Sequence, residues 1–471
     1  MSNIADLIII GSGSTAFAAA LRATSNGARR VLMFEKSVLG GTCINWGCIP
    51  SKTLIHAALF KHEAHLGALL GLGIEPHANE LNFEDLAAHR EQVVQKLRQE
   101  RYLDVLKKMP GFKLVKGPAR FCDPHTVEAA GQRFHAERVL IAVGGDPRIP
   151  VIAGLEKCNY LTSRSILLLK EFPRSLLIIG GGVIAVELGQ MYHRLGCRVT
   201  ILEYGPRLLP TVEPEPARAV QNILIAEGLT VVTDVDLRSI EQGREITSVY
   251  AAVSGTPHTF TAERLLLAVG TTPATERICL EKAGVELDQR GFIIIDERMR
   301  TSAKGVWAAG DVTGKMMIAT VGARQGIVAV DDMFNPGCGC AMDYLAAPMA
   351  IFTDPEIGMV GHTEESARQA GLDIIVNTMP VGGIPKAQVT GHTAGVIKII
   401  ADRVTGRLLG VHLACHRGAD LINEAALALR LGATIDDLAN TMHVYPSIGE
   451  GLKLCAQGFS RDLSKLSCCA E

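Results

Sequence analysis

Two copies of one local pattern constrain the fold of this 471-residue chain. The first copy is a short apolar run, Leu7–Ile10, that leads into a glycine turn at Gly11 and then into an alanine-rich helical segment. A second apolar run ends at Glu35, close to the spacing at which a carboxylate meets a ribose hydroxyl. Glycines let the backbone approach a pyrophosphate, and the helix N-terminus supplies free N–H groups. The pattern therefore predicts a Rossmann-like dinucleotide site.

The second copy of this pattern begins at Gly180, after another apolar run. A helical segment containing Glu187 follows the turn, and the next predicted strand ends at Glu203. An acid in that position accepts a hydrogen bond from the 2′-hydroxyl of NAD but would repel the 2′-phosphate of NADP. Two such turns in one chain imply two bound dinucleotides.

The stretch Gly40 to Lys52 places Cys43 and Cys48 behind a pair of glycines. Five steps along a regular helix turn two side chains about 140° apart, so a disulfide between them needs a distorted first turn. Such a bridge would be strained and reducible. Buried structural cysteines or half of a zinc site are the alternatives, but no second C-x2-C or nearby histidine pair completes four ligands. The spacing therefore favours a redox centre.

Composition excludes several other classes of protein. The chain is 48% hydrophobic and 20% charged, with a formal net charge of −2, which argues against a disordered tail or a nucleic-acid-binding surface. The first residues run into a strand without a signal-peptide pattern, and no apolar stretch reaches the ~20 residues of a membrane span. Twelve dispersed cysteines suit a reducing compartment. We therefore expect a cytoplasmic protein without membrane insertion.

The motifs together resemble the flavin-dependent pyridine nucleotide-disulfide oxidoreductases. The resemblance rests on the words G-G-T-C-x4-C-x-P-S-K and Ala309-Gly-Asp311 and on the two glycine turns, and it covers essentially the whole chain. It implies an α/β fold with two Rossmann-like domains, for FAD and for NAD(P)H, and a C-terminal α+β domain that forms the interface of a homodimer. We expect the FAD-binding domain in 1–151 and 273–345, the NAD(P)-binding domain in 152–272 and the dimerisation domain in 346–471.

The resemblance also implies which residues bind the cofactors. Asp311 is expected to hold the ribityl chain of the flavin. The residues expected to contact the two dinucleotides are Gly11, Gly13, Ser14, Thr15, Ala16, Glu35, Lys36, Gly41, Thr42, Lys52, Ala119, Gly144, Gly180, Gly182, Ile184, Glu203, Gly270, Asp311 and Val321.

At the cysteine pair, the resemblance implies that Cys48 packs against the flavin ring and that Cys43 is the outer thiol that meets the substrate. Lys52 follows Cys48 by one helical turn, which carries its ammonium toward the flavin N5 region, where it can stabilise negative charge on the reduced ring. Glu187 matches the family's partner for this lysine.

Within the family, the chain ends like the mercuric reductases, with the adjacent cysteines Cys468 and Cys469. Soft thiolates select soft metal ions, so a mobile dithiol can capture Hg(II) and pass it to a second dithiol by ligand exchange. The resemblance implies transfer from Cys468 and Cys469 of one subunit to Cys43 and Cys48 of the partner subunit, followed by reduction to Hg(0). A G-M-T-C-x-x-C word is absent, so the C-terminal pair is expected to take Hg(II) from small thiol complexes or a membrane transporter.

Two tyrosines complete the predicted site. A disulfide reductase of this family has a histidine five residues before a glutamate, whereas this chain has Tyr445 before Glu450. A phenol with an ordinary pKa near ~10 is a poor proton shuttle, and the spacing of His443 to Glu450 is wrong for that role. We therefore expect a substrate other than an ordinary disulfide. Tyr102 lies where a tyrosine lines the metal site of mercuric reductases, although a surface or interface tyrosine fits the helical pattern equally well.

The sequence leaves three questions open. Glu203 favours NADH while the resemblance favours NADPH, and Arg207 would have to turn toward the ribose to offset Glu203. The C-x-C pair of Cys338 and Cys340 either binds a soft metal or is incidental. A disulfide or dihydrolipoamide-type dehydrogenase and a non-catalytic metal-sequestration protein are the alternative functions.

Overall fold

A five-stranded parallel sheet carries the first glycine turn in the computed structural model, which describes residues 3–69 and 81–463. Its strand order is Val306–Ala308, Val139–Ile141, Leu7–Ile10, Val31–Glu35, Phe112–Lys116. All four residues of Leu7–Ile10 are buried, because helices and a second sheet cover both faces of a parallel sheet of this kind. The helix Ser14–Ser25 follows the turn and packs against the helix Ala319–Phe334.

A four-stranded sheet lies beside this unit and shares its apolar core. Its strands, in order, are Ile4–Ala5, Gln132–Ala136, Thr126–Ala129 and Ala119–Asp123. Among the described residues, four helices lie between the strands Val31–Glu35 and Phe112–Lys116. They are Gly41–Trp46, Cys48–Leu69, Phe83–Arg98 and Asp104–Lys107, and a π-helical turn at Gln99–Leu103 joins the last two. The sequence has no obvious helix breaker between Asn82 and Met109 and predicts long amphipathic helices there, and the π-helical turn is the departure from that pattern.

The second glycine turn belongs to another five-stranded parallel sheet. Its strand order is Tyr160–Thr162, Arg264–Leu267, Ser175–Ile179, Arg198–Leu202, Thr230–Val232. The helix Val183–Leu195 follows the turn, and Pro214–Glu227 is the next helix. A three-stranded antiparallel sheet completes the unit, with strands Val235–Gln242, Thr247–Val253 and Thr256–Ala262. A two-stranded ladder of Gly145–Pro147 and Thr271–Pro273 connects the two Rossmann-like units.

The C-terminal part contains a five-stranded antiparallel sheet. Its strand order is Met349–Ile351, Glu356–Gly361, Leu408–Cys415, Val396–Asp402, Ile374–Pro380. The helices Glu364–Gln369, Pro385–Thr390, Gly418–Leu431, Ile435–Asn440 and Glu450–Gln457 accompany it. Two parallel-sheet units followed by this α+β unit are the predicted fold class, which is confirmed. The boundaries proposed for the domains stay predictions.

None of the helices in 3–69 and 81–463 combines the length and apolar character that a membrane crossing requires.

Candidate functional site

A cavity of about 710 Å³ opens where the first sheet's strands end, and it reaches the first turn of the helix Val183–Leu195. Most of the predicted site residues line it. They are Gly11, Gly13, Ser14, Thr15, Glu35, Lys36, Gly41, Thr42, Cys43, Cys48, Lys52, Ala119, Gly144, Ile184, Glu187 and Asp311. Its volume is within the range of about 300–1,000 Å³ that is usual for sites of small molecules and cofactors.

The glycine turn at the floor of the cavity is shaped by backbone contacts. Gly11 has φ +111°, and a Cβ at this position would clash with the carbonyl oxygen of Ala142. A Cβ at Gly41 would lie 2.7 Å from the Cα of Gly13, so these two segments can approach only as glycines. No side chain caps the helix Ser14–Ser25 at Gly13. Its first N–H groups are therefore available to an anion such as a pyrophosphate.

Two polar side chains test whether the cavity fits the predicted flavin dinucleotide. The indole N–H of Trp46 is buried at the cavity wall and finds no hydrogen-bond partner among the described residues. Burial raises the pKa of the Asp311 carboxyl, which also lines the cavity. A bound molecule with acceptors and hydroxyl groups would satisfy both groups. The donor set, the glycine floor and the volume thus fit FAD, with Gly11, Gly13 and Asp311 among the residues that would hold it.

Glu35 ends its strand with its carboxylate already oriented. It accepts hydrogen bonds from the Ser12 hydroxyl and the Ser37 N–H, each at 2.5 Å. A carboxylate offers about four lone-pair directions, so Glu35 retains capacity for a ribose hydroxyl.

The cysteine pair lies at a break between two helices. Gly41–Trp46 ends at Gly47, and Cys48 begins the next helix. A Cβ at Gly47 would lie 2.9 Å from the carbonyl oxygen of Thr42, so the break is close-packed and favours glycine. This break replaces the regular helix on which Cys43 and Cys48 would point in different directions.

The two thiols share one hydrogen bond, and their pKa values move apart. The hydrogen bond from Cys43 and the nearby ammonium of Lys52 lower the pKa of Cys48 to about 7. The same hydrogen bond, together with burial, raises the pKa of Cys43 far above its ordinary value. At neutral pH Cys48 is therefore the readier thiolate, while Cys43 keeps the proton.

Lys52 is held by groups from two distant segments. Its ammonium donates to Glu187 Oε2 at 2.8 Å and lies 4.7 Å from the centroid of the Phe352 ring. Glu187 Oε1 accepts the N–H of Phe352, also at 2.8 Å. Glu187 is only 5% exposed, which excludes a solvated surface charge. The sequence analysis did not identify Phe352 as a site residue, because its stretch was predicted only as part of the C-terminal domain.

Arg164 is a second residue that sequence reasoning missed. Its guanidinium donates to the carbonyl oxygen of Gly145 and pairs with Asp146, each at 2.6 Å, and lies 5.7 Å from the Trp46 ring centroid. It brings a fixed positive charge to the cavity wall beside Thr42. No local motif around Arg164 signals this position.

The second turn places Glu203 and Arg207 in different environments. Glu203 accepts hydrogen bonds from the N–H groups of Gly181 and, at 2.6 Å, Gly205. Both terminal nitrogens of the Arg207 guanidinium donate to main-chain carbonyl groups, at distances from 2.5 to 3.2 Å. Its acceptors are Leu208, Leu209, Pro210 and Val212. Arg207 therefore does not form an ion pair with Glu203, and it would have to leave its carbonyl acceptors to bind a 2′-phosphate.

Tyr102 lies close to the cysteine pair. It is on the π-helical turn Gln99–Leu103, and its ring packs edge-on against Phe17 at a centroid distance of 4.5 Å. Burial, followed by the nearby Cys43 and Cys48, raises the pKa of Tyr102 to about 12. The structure thus brings Tyr102 together with the thiols, and it stays a neutral phenol at physiological pH.

Tyr445 lies in the C-terminal unit and is half-exposed, away from the cavity wall of its own chain. The nearby His443 pairs with Glu424 at 2.9 Å, which raises the pKa of His443, whereas Glu450 accepts the N–H of Ser447 at 3.3 Å. His443 and Glu450 therefore do not form a proton-transferring pair.

The remaining predicted residues lie elsewhere. Gly180, Gly182, Glu203 and Gly270 surround the second turn outside the cavity, and Ala16 and Val321 are buried behind its floor. Cys468 and Cys469, predicted to bind metal, lie outside the described residues.

Comparison with known proteins adds the family. A model described as "Pyridine nucleotide-disulphide oxidoreductase" matches residues 5–326, and a model of that family's dimerisation domain matches 347–456. A mercuric reductase of Lysinibacillus sphaericus is 39% identical over 99% of this chain and 84% of its own length. A dihydrolipoyl dehydrogenase of Thermus scotoductus is 38% identical over 97% of both chains.

A solved structure shows the same fold. It is a Cu(II) complex of the HOCl-induced flavoprotein disulfide reductase RclA from Escherichia coli, with a TM-score of 0.85 and 30% identity over 96% of this chain and 99% of that chain. The family and the relatives confirm the prediction of FAD and NAD(P)H as cofactors. The chain belongs to the pyridine nucleotide-disulphide oxidoreductase family.

Proposed function

We propose that this chain reduces Hg(II) to Hg(0) with electrons from NAD(P)H. The observation that carries the proposal is a reactive thiol pair without an imidazole beside it. Cys43 and Cys48 line the cavity, the described residues of its wall in the single chain include no histidine, and Tyr445 stands where a disulfide reductase of this family has its histidine. A thiol-disulfide substrate needs a proton shuttle, whereas a metal ion held by two thiolates does not.

The residues of the pair suit a soft metal ion. Cys48 ionises more readily than Cys43. Cys43 loses its proton when a metal ion binds to its sulfur. Two electrons then convert the dithiolate complex of Hg(II) into Hg(0) and two free thiolates. Bound FAD supplies the relay that carries these electrons from the nicotinamide. The Lys52 ammonium and the Arg164 guanidinium, each in an ion pair, place cationic donors at the cavity that stabilise the negative charge arriving with the electrons.

Relatives named mercuric reductase support this choice of metal. Delivery of Hg(II), as a thiol complex, by Cys468 and Cys469 of one subunit to Cys43 and Cys48 of the partner subunit is part of the proposal. Tyr102 would contact the ion from beside the thiols, and Tyr445 would reach it from the partner. We place the reaction in the cytoplasm, because open thiol pairs suit a reducing compartment.

A homodimer with a shared active site follows from the same proposal. The family's dimerisation-domain model matches the C-terminal part. Several large apolar side chains of this part are more than half exposed in the single chain, as expected of residues that a second subunit covers. They are Leu427, Leu431, Met442 and Val444.

The test is NAD(P)H oxidation by the purified flavoprotein with glutathione-ligated Hg(II), combined with detection of volatile Hg(0). We expect oxidation that depends on Hg(II) and yields one Hg(0) per nicotinamide. Oxidation with lipoamide or glutathione disulfide but not with Hg(II) would favour a disulfide reductase. Metal binding without oxidation would favour sequestration. A Cys43→Ser variant is the control and should lose Hg(0) formation.

The dihydrolipoyl dehydrogenase relative favours a second candidate function, oxidation of a dihydrolipoamide-type dithiol. Tyr445 in place of a histidine is the observation against it. Lipoamide turnover by the unchanged protein separates the two, since it should be negligible if the chain is built for metal ions. Tyr445→His should raise that turnover if the missing imidazole is what limits it.

A further inference from the structure

A second pair of cysteines lies outside the cavity, in the turn after the helix Ala319–Phe334. Cys338 and Cys340 flank Gly339, and the structure places their sulfur atoms in bonding contact. The turn lies between the two regions that the family models match, 5–326 and 347–456.

Both ends of this turn are anchored. The N–H of Asn335 donates to the last turn of the preceding helix, at Asp331 O, at 2.9 Å. On the other side, the N–H of Met342 donates to Glu297 O at 3.0 Å. The few residues between these anchors cannot spread far apart, so the two cysteines stay close whether or not they are bonded.

The backbone between the cysteines is shaped for a close pair. Their Cα atoms are 5.3 Å apart, inside the range of about 4.4–6.8 Å that a disulfide spans. Gly339 has φ +67°, a conformation that favours glycine, and a Cβ there would meet nothing within 4 Å. The turn is therefore open at Gly339, between the two cysteines.

The pair is reachable from solvent and separate from the flavin site. Cys338 and Cys340 are half-buried, while Asn335, Pro336 and Gly339 around them are exposed. The helix Ala319–Phe334 begins at the cavity wall and spans 16 residues, about 24 Å, before the turn begins. The length of this helix therefore separates the pair from the cavity of the same chain.

We propose that Cys338 and Cys340 form a second thiol centre that binds one soft, two-coordinate metal ion, such as Hg(II) or Cu(I), when the pair is reduced. Two thiolates suffice for such an ion, because soft metals prefer sulfur and accept few ligands. The N–H of Cys340 donates to the Cys338 sulfur at 3.2 Å and supports negative charge on it.

Reduction breaks the bond between the two sulfur atoms, and a metal ion can then bind to both of them. Two molecules of a small thiol such as glutathione break the bond between the sulfurs, giving two thiols and one glutathione disulfide. The open pair then releases two protons and binds one metal ion. This centre does not rest on the proposed reduction of Hg(II), because it binds metal without NAD(P)H.

The first test measures retained metal. The full chain is prepared with Cys43, Cys48, Cys468 and Cys469 all changed to Ser, and compared with the same protein that also carries Cys338→Ser and Cys340→Ser. Both are reduced, incubated with HgCl2 and excess glutathione, and desalted, after their flavin spectra have shown that they are folded. We expect one Hg(II) per chain in the first protein and a complete loss in the second.

Excess glutathione removes metal from single thiols but not from a chelating pair, because the second thiol acts at a high effective concentration. Cys158→Ser in the same background, which removes a half-buried single thiol, is the matched control and should retain the metal. Equal metal content with and without Cys338 and Cys340 would overturn the proposal.

The second test uses the unmodified chain. Iodoacetamide followed by peptide mapping should add no alkyl group to Cys338 and Cys340 before reduction and two after it, and prior Hg(II) should prevent both additions. Alkylation before reduction would overturn the closed form. Alkylation of the reduced pair that Hg(II) does not prevent would overturn the metal site, whatever the outcome of the Hg(II) reduction assay.

Discussion

The ammonium of Lys52 lies 2.8 Å from the carboxylate of Glu187, although 135 positions separate the two residues in the chain. Phe352, from a third segment, contributes its N–H to the same carboxylate and its ring to the ammonium. The positive charge beside Cys48 is thus fixed in place by three parts of the chain. Its effect on the Cys48 thiol can be changed from either side of the ion pair.

We expect Glu187→Gln to lower the pKa of Cys48 below about 7, because the Glu187 carboxylate raises this pKa. Lys52→Met should shift it in the opposite direction, since the ammonium favours the thiolate. The thiolate is the form that reacts, so in the reduced protein the alkylation rate of Cys48 rises with pH through its pKa. Rate profiles against pH for the two variants measure both shifts.

Glu365→Gln is the control for these charge changes. Glu365 is an exposed carboxylate on a surface helix, and its removal should leave the profile unchanged. If all three variants had the same midpoint as the unchanged protein, Lys52 would not lie close to Cys48 in solution.

The two cysteines should differ in their effect on the flavin spectrum. We expect the two-electron-reduced protein to show a long-wavelength band that arises from a thiolate against the flavin, and Cys48 is the thiolate of the pair. Cys48→Ala should abolish the band, while Cys43→Ala should retain it in the oxidised-flavin form. Absorption spectra during titration with dithionite make the comparison, and the reverse pattern would exchange the roles of the two residues.

The C-terminal pair should matter for metal delivery only. Replacing Cys468 and Cys469 with Ala is expected to reduce turnover of thiol-ligated Hg(II) at least tenfold, about 1.4 kcal/mol of transition-state stabilisation, and to leave flavin reduction by the nicotinamide unchanged. Stopped-flow measurement of each half-reaction separates the two effects. Equal losses in both would contradict delivery by the tail.

Mixed dimers test whether the site is shared. Combining the Cys468→Ala, Cys469→Ala chain with a Cys43→Ala, Cys48→Ala chain leaves one complete site only if the two pairs come from different subunits. We expect mixed dimers to recover activity that neither variant has alone. A mixture with no more activity than its parents would place both pairs in one subunit.

A buried ion cluster connects the second Rossmann-like unit to the C-terminal sheet. Lys398 and Glu213 are each 2% exposed and lie 2.6 Å apart, and Lys398 also donates to Glu215 and Glu364. Lys398→Met leaves these carboxylates without their cation, which costs about 3–5 kcal/mol for a buried pair.

Chemical denaturation of the holoprotein measures this loss. Arg403→Met, which removes an exposed ion pair with Asp373, is the matched control and should cost about 1 kcal/mol or less. A Lys398→Met variant as stable as the control would mean that water reaches the cluster.

The fold was predictable because its signals are local. Apolar runs such as Leu7–Ile10 lead into glycine turns. The need for glycine at Gly11 follows from a backbone contact with Ala142, and the same kind of contact, with Ala268, recurs at Gly180. The π-helical turn at Gln99–Leu103 was not predictable, since its sequence continues the helical pattern on both sides.

The site was predictable only in part. The thiol pair and its lysine lie within one short stretch, and the resemblance supplied Glu187. Phe352 and Arg164 reach the site only in the folded chain, and no sequence motif around either residue indicates this position. The spacing between His443 and Glu450 indicated correctly that they do not pair, but it did not identify Glu424 as the partner of His443.

The coenzyme preference depends on Glu203 and Arg207. Arg207 could offset Glu203 only by leaving its carbonyl acceptors for a 2′-phosphate, and each lost hydrogen bond to a charged group costs about 1.5–3 kcal/mol. A preference of one order of magnitude needs only about 1.4 kcal/mol. We therefore expect a preference for NADH, because the terminal nitrogens of Arg207 already donate to main-chain carbonyl groups.

We expect both coenzymes to work, with kcat/KM for NADH at least tenfold above that for NADPH. Glu203→Ala should shift the ratio toward NADPH, because it removes the like-charge repulsion of the 2′-phosphate and the acceptor of the 2′-hydroxyl. Arg207→Met is the control, and it should leave the ratio unchanged since its guanidinium is bonded to main-chain carbonyl groups. Steady-state kcat/KM values for both coenzymes in the three proteins decide the question: an unchanged ratio in Glu203→Ala would show that this carboxylate does not contact the ribose, and a shift in Arg207→Met would show that Arg207 leaves its carbonyl groups when the coenzyme binds.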